Sequence, residues 1–235
     1  MNALRATQFE FRHRFWFIFA IFLAAYGLYS VFPREACVVL AASFAPTSSP
    51  LFTVWLRVLF GAGTLLVLLG GLLRTWGTAY LGSSVMKDRA LHSEALTADG
   101  PFRFVRNPLY LGTLLLAAGL GLTADLPGWL LLVALLFLFQ VRLILREEAG
   151  LTAAQGETYE AYRRAVPRLL PALRPRLPAS GAVPKWREAL LAESTFWFYG
   201  IALALLTITL NERLFWRVFF AGVLIGVIIH SFRRH

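Results

Sequence analysis

Six apolar runs, residues 15–32, 51–73, 108–123, 129–145, 195–210 and 214–230, alternate along this chain with short polar stretches. The run 51–73 is long enough to cross a hydrocarbon core of about 30 Å. Its Gly61, Gly63, Gly70 and Gly71 are small residues that favour close helix packing in lipid. The run 108–123 is short for a full span at about 1.5 Å per residue. With 129–145, reached through Ala124-Asp125-Leu126-Pro127-Gly128, it reads as a tight helical hairpin through or deep into a bilayer. A second hairpin follows at 195–210 and 214–230, turning at Asn211-Glu212-Arg213. Residues 36–45 are apolar but too short to span, and Pro46-Thr47-Ser48-Ser49-Pro50 breaks them, so they are expected at the outer face.

Between the hairpins the pattern changes. Residues 149–194 are polar, with an amphipathic helix expected over 152–165 and then a linker carrying Pro167, Pro171, Pro175, Pro178 and Pro184. The pattern predicts an all-α polytopic membrane protein of about six transmembrane helices, including the two hairpins. Three parts follow: 1–50 as a first transmembrane helix and outer loop, 51–171 as a membrane core, and 172–235 as Pro-rich linker and C-terminal hairpin.

Composition agrees with a lipid solvent. Of 235 residues 58% are hydrophobic and 15% charged, and the mean hydropathy is +0.63, far more apolar than a soluble domain. The net charge of +10 sits in short runs between apolar segments, which suits orientation and anionic lipid rather than nucleic acid. Arg5, Arg12, His13 and Arg14 precede the run 15–32 like a signal n-region, yet Pro33-Arg34-Glu35-Ala36-Cys37 lacks the small apolar residues of a cleavage site. An uncleaved first helix is therefore expected. With six crossings the basic N-terminus, the loop 74–106, the region 146–187 and the C-terminus share one side, which the positive-inside rule makes cytoplasmic.

Candidate chemistry concentrates in Asp99-Gly-Pro-Phe-Arg-Phe-Val-Arg-Asn-Pro-Leu-Tyr-Leu-Gly112. Asn107 before Pro108 is a strong helix start, because an Asn side chain can accept orphan N–H groups and Pro fits the first helical position. Arg103 and Arg106 lie just upstream of that positive helix end, an arrangement suited to a carboxylate or phosphate, and Gly112 allows close approach. Arg103 is read as orienting the protein or meeting headgroups. Glu147 and Glu148, placed at the end of an apolar helix, oppose its dipole and need cationic partners: either Arg142, Arg146 or Arg106, or a ligand's cationic group. Phosphate loops, dinucleotide fingerprints, zinc-protease and nucleophile-elbow motifs are absent. Scattered His13, His92, His230 and His235 and the lone Cys37 leave no metal site.

Gly100 to Gly112, followed by a helical hairpin, Arg146-Glu-Glu148 and the Gly156 to Pro171 run with its Val166-Pro167-Arg168, resembles the isoprenylcysteine carboxyl methyltransferase and phospholipid methyltransferase superfamily over residues 72–171. These are integral membrane enzymes, and the resemblance implies S-adenosylmethionine as cofactor in a cytosolic pocket. It implies catalytic roles around Arg106, Asn107 and Tyr110; apart from the resemblance, Glu94, His92 and Tyr110 are the nearby groups that could act as base if the acceptor is an amine. Cofactor contacts would come from Arg106, Pro108, Tyr110, Gly112, Glu147, Glu148, Tyr159 and Tyr162, and a substrate contact from Arg168; His92 is a further substrate candidate only by its place in a loop that could cover the site. Asn107 stands where the isoprenylcysteine enzymes usually carry His, and the chain continues past Pro171 with a linker and hairpin that the common core lacks. The expected activity is methyl transfer to a lipid or lipid-linked carboxylate or amine in a bacterial inner membrane, with both termini cytoplasmic. An NADPH-dependent membrane reductase of the sterol-reductase type and a non-catalytic lipid-binding protein are the alternatives.

Overall fold

The computed structural model describes residues 4–81 and 98–232. Among them the regular structure is helical, with one isolated antiparallel bridge between Glu35 and Asp125. The helices are α1 (Gln8–Arg12), α2 (Arg14–Gly27), α3 (Ala36–Phe44), α4 (Pro50–Leu81), α5 (Pro108–Leu120), α6 (Leu126–Gln155), α7 (Glu157–Ala165), α8 (Trp186–Ala192), α9 (Ser194–Thr209) and α10 (Glu212–Phe232). By length and composition α4 and α6 can each cross a membrane, and α8 with α9, bent between them, would make a third span. The apolar helices Arg14–Ser30 and Pro108–Thr123 are shorter. The chain is thus an all-helical membrane protein with two or three candidate spans.

Contacts sort the chain into two units. One comprises His13–Gly71, Leu114–Leu138 and Ser194–His235. Its core joins Phe60, Val67, Leu116, Leu120, Leu203, Leu206 and Phe215, and the lone Cys37 is buried there as a packing residue. Small residues do what lipid packing asks of them: a Cβ on Gly63 would lie 2.9 Å from the Gly119 carbonyl, so only Gly permits that approach. The α5–α6 turn is fixed by Asp125, whose Oδ1 accepts the Gly128 N–H at 2.8 Å as a helix cap, and by Trp129 Nε1–H donating to the Ala118 carbonyl at 2.9 Å. The α9–α10 hairpin forms as expected, with the Tyr199 and Phe219 rings stacked at 4.6 Å.

The other unit comprises Met1–Arg12, Leu72–Thr113 and Phe139–Glu193, and it holds the candidate chemistry. Its helices depart from the sequence reading at their ends. Helix α4 was expected to stop near Leu73 but continues to Leu81, because Arg74 does not face water: it is paired with the buried Glu193. Helix α6 was expected to end near Leu145 but runs to Gln155. The amphipathic helix therefore begins at Glu157 rather than residue 152, after Gly156 turns the chain with φ +56°. Trp186–Ala192 is a short helix within what was read as linker.

Candidate active site

The loop before α5 owes its shape to its own residues. Gly100 has φ +59°, and a Cβ there would run into the Tyr80 ring, so two independent constraints demand Gly. Pro101 opens a short 3-10 turn, and Phe102 and Val105 bury their side chains beneath it. The Pro-rich linker then runs alongside the loop as a strap. Arg106 N–H donates to the Pro167 carbonyl at 2.9 Å, Ala172 N–H to Phe104 at 2.9 Å and Arg176 N–H to Arg103 at 2.8 Å. Arg103 Nε–H donates to the Leu177 carbonyl at 2.8 Å, so this residue holds the strap. The buried Asp99 carboxylate accepts the Ser180 and Ala182 N–H groups at 2.8 and 2.9 Å and the Ser180 hydroxyl at 2.5 Å. These bonds hold its pKa below the usual aspartate range.

Helix α5 starts at Pro108, as Asn107-Pro108 predicted. The Asn107 amide nitrogen points to other partners: it donates to Glu148 Oε1 at 3.4 Å and to the Arg168 carbonyl at 3.2 Å. Glu148 is buried, and its carboxylate also meets Arg168 Nη2 at 2.8 Å and Arg106 Nη2 at 3.4 Å. A carboxylate so enclosed is tolerable only because two guanidinium groups and an amide surround it. Beside it, the Tyr110 hydroxyl donates to Glu147 Oε1 at 3.0 Å.

The Arg106 side chain, 8% exposed, is half used. Its Nη2 faces Glu148, while Nε and Nη1 are buried with no hydrogen-bond partner among the described residues. Such donors are rare and costly to leave unmet. Tyr159 and Tyr162 are buried on α7 with ring centroids 5.8 Å apart. The Tyr162 hydroxyl donates to the Phe102 carbonyl at 2.9 Å, tying α7 to the loop. Burial raises the Tyr159 pKa to about 12.

Several expectations are corrected by this geometry. Glu147 and Glu148 do not sit at a helix end opposing its dipole; they are inside α6, which ends at Gln155. Arg142 and Arg146 reach the N-terminal segment. Arg142 Nη2 pairs with Glu10 Oε2 at 2.8 Å, and Arg146 donates to the Ala6 carbonyl at 3.0 Å and to Gln8. Both arginines thus clip the N-terminal segment, which begins α1 with a Thr7/Glu10 capping box, to α6. Arg168, expected at the substrate, meets Glu148. Gly112 is buried on α5. His92 and Glu94 lie outside the described residues.

The sequence reading missed one network altogether. Arg74 Nε and Nη2 donate to the two oxygens of Glu193 at 2.7 and 3.1 Å, and Thr78 Oγ1–H donates to Glu193 Oε1 at 2.8 Å. Arg74 Nη1 donates to the Leu109 carbonyl at 3.2 Å and Thr113 Oγ1 at 2.9 Å, which locks α4 to the first turns of α5. The only signal was a charged residue at the edge of each of two apolar runs.

Comparison with known proteins converges on this part of the chain. The phospholipid methyltransferase family model matches residues 58–157, which include Arg106, Tyr110, Glu147 and Glu148. A Schizosaccharomyces pombe protein described as Protein-S-isoprenylcysteine O-methyltransferase is 32% identical over 107 residues, covering 44% of this chain and 45% of that relative. The match therefore spans less than half of the relative's length. No solved structure matches the chain. Both matches support the superfamily that the motifs resemble.

Proposed function

We propose that this protein is an integral membrane methyltransferase that moves a methyl group from S-adenosylmethionine to a lipid or lipid-linked acceptor. The observation that carries the reading is the Arg106 side chain, enclosed beside Glu148 with Nε and Nη1 unpartnered among the described residues. Two such donors at the start of a helix suit a carboxylate, and an ammonium near that carboxylate would find Glu147 and Glu148 on α6. S-adenosylmethionine carries both groups, and when bound it supplies an electrophilic methyl on a sulfonium. The residues present fit it.

In this reading Arg106 holds the ligand's carboxylate and the Glu pair its cationic groups. Tyr110 orients Glu147 through their 3.0 Å hydrogen bond, and Asn107 with Arg168 fixes Glu148. Tyr159 and Tyr162 close the apolar side and keep water out, which strengthens each of these contacts. Orientation and water exclusion are the main demands of an in-line transfer, so no catalytic triad is required. A carboxylate acceptor needs no base at neutral pH. An amine must lose one proton, for which Tyr110, Glu94 and His92 are the candidates.

The same reading has about six crossings, with the pocket and both termini on the cytoplasmic side of a bacterial inner membrane. Its support is the placement of basic residues beside the apolar runs. The relative's printed name supports a lipid-linked carboxylate as one acceptor. Cells expressing the protein and fed methyl-labelled methionine should accumulate label in their lipid extract. Label should vanish with Arg106→Ala or Glu148→Ala. Label confined to the aqueous fraction would overturn the lipid acceptor.

A further inference from the structure

Gln140 lies within α6 and is 1% exposed, and neither its amide nitrogen nor its amide oxygen has a hydrogen-bond partner among the described residues. Both ends of a carboxamide left unmet in an apolar helix carry a penalty that Leu or Met at the same place would avoid. A helix-to-helix tie, the ordinary use of a membrane glutamine, would show a partner across the contact. None is present. The residue sits on the buried stripe of α6 formed by Phe139, Leu143 and Ile144 and ending at Glu148. It precedes Glu147 by seven residues, close to two helical turns, which puts it on nearly the same face about 10 Å deeper along the helix.

We infer that Gln140 binds the acceptor, by taking a neutral amide carried close to the acceptor's reacting group. This rests on the methyltransferase reading above. A carboxamide donates through its nitrogen and accepts through its oxygen, so a second amide satisfies both orphaned atoms at once. An ester carbonyl would leave the Gln140 oxygen unmet. A phosphodiester brings negative charge among Phe139, Leu143 and Ile144 and toward Glu148, and the next arginine on the helix, Arg142, pairs with Glu10. Gln140 is therefore a specificity-determining residue for acceptors that carry an amide near the reacting group.

Two probes differing only in that group test this: N-acetyl-S-farnesylcysteine and S-farnesylthiopropionate, which has the same tail, thioether and carboxylate without the acetamide. Methyl transfer from tritiated S-adenosylmethionine is measured with purified wild type and Gln140→Leu, alongside calorimetric binding of the cofactor. Wild type should prefer the amide probe by about tenfold in KM. Gln140→Leu should abolish the preference, with kcat and cofactor affinity within about twofold of wild type and heat stability undiminished. A preference that survives Gln140→Leu, a wild type that shows none, or one that binds cofactor and methylates neither probe overturns the role of Gln140. Failure of wild type to bind the cofactor overturns the methyltransferase reading itself.

Discussion

Two buried arginine–glutamate networks lie in the same unit of this protein and differ in one respect. Arg74 spends all three of its guanidinium nitrogens on Glu193, Thr113 and the Leu109 carbonyl. Arg106 spends one, at 3.4 Å from Glu148, and leaves Nε and Nη1 unmet. The first is closed and has nothing to offer a ligand; the second is open in the direction where its helix start favours negative charge. Each centres on a buried glutamate, so saturation of the arginine donors is what separates the structural lock from the proposed binding site.

The comparison breaks first at Glu193. Glu193→Ala leaves Arg74 charged and buried without its carboxylate, and unfolding in detergent should show a loss of about 3–5 kcal/mol. Replacing both partners by Met should recover most of it, since the uncompensated charge is then gone. The open network should respond in affinity instead. Arg106→Met should weaken S-adenosylmethionine binding about 100-fold, near 2.7 kcal/mol, and, because Arg168 and Asn107 still hold Glu148, cost less stability than Glu193→Ala. Tyr110→Phe removes a single orienting hydrogen bond to Glu147, and a loss of about fivefold in kcat/KM, near 1 kcal/mol, is expected from steady-state rates.

The smallest effect concerns the strap. The folded pKa of Asp99 is depressed, first by the Ser180 bonds. Its contribution is therefore present above the unfolded aspartate value of about 3.9 and lost as pH falls through the lower folded value. At neutral pH the Ser180 and Ala182 amides should be protected from hydrogen exchange. Protection should fall in acid, and in Asp99→Asn at pH near 7.

What the sequence disclosed about these networks follows from their range. Arg106, Asn107, Pro108 and Tyr110 are neighbours, and their helix start could be read locally. Glu147 and Glu148 were conspicuous as adjacent carboxylates, but their partners were not: Arg168 reaches Glu148 from twenty residues away. Arg74 and Glu193 are separated by 119 residues, and no local pattern joins them. Helix ends failed for a related reason. Polarity at Arg74 and at Arg146 to Glu148 looked like the edge of a membrane, whereas tertiary pairing let α4 and α6 run on through those residues. Gln140 is one polar letter in an apolar run and drew no notice. Only its burial without a partner gives it meaning.

The central claim is that the open Arg106–Glu148 network is a cofactor site. Isothermal titration of S-adenosylmethionine into the detergent-purified protein tests it most directly, with Arg106→Met and Glu148→Ala measured beside wild type and NADPH as the competing ligand. The account predicts saturable binding by wild type, its loss in both variants, and no heat from NADPH. Unchanged binding in the variants, or titration by NADPH in place of S-adenosylmethionine, would contradict it.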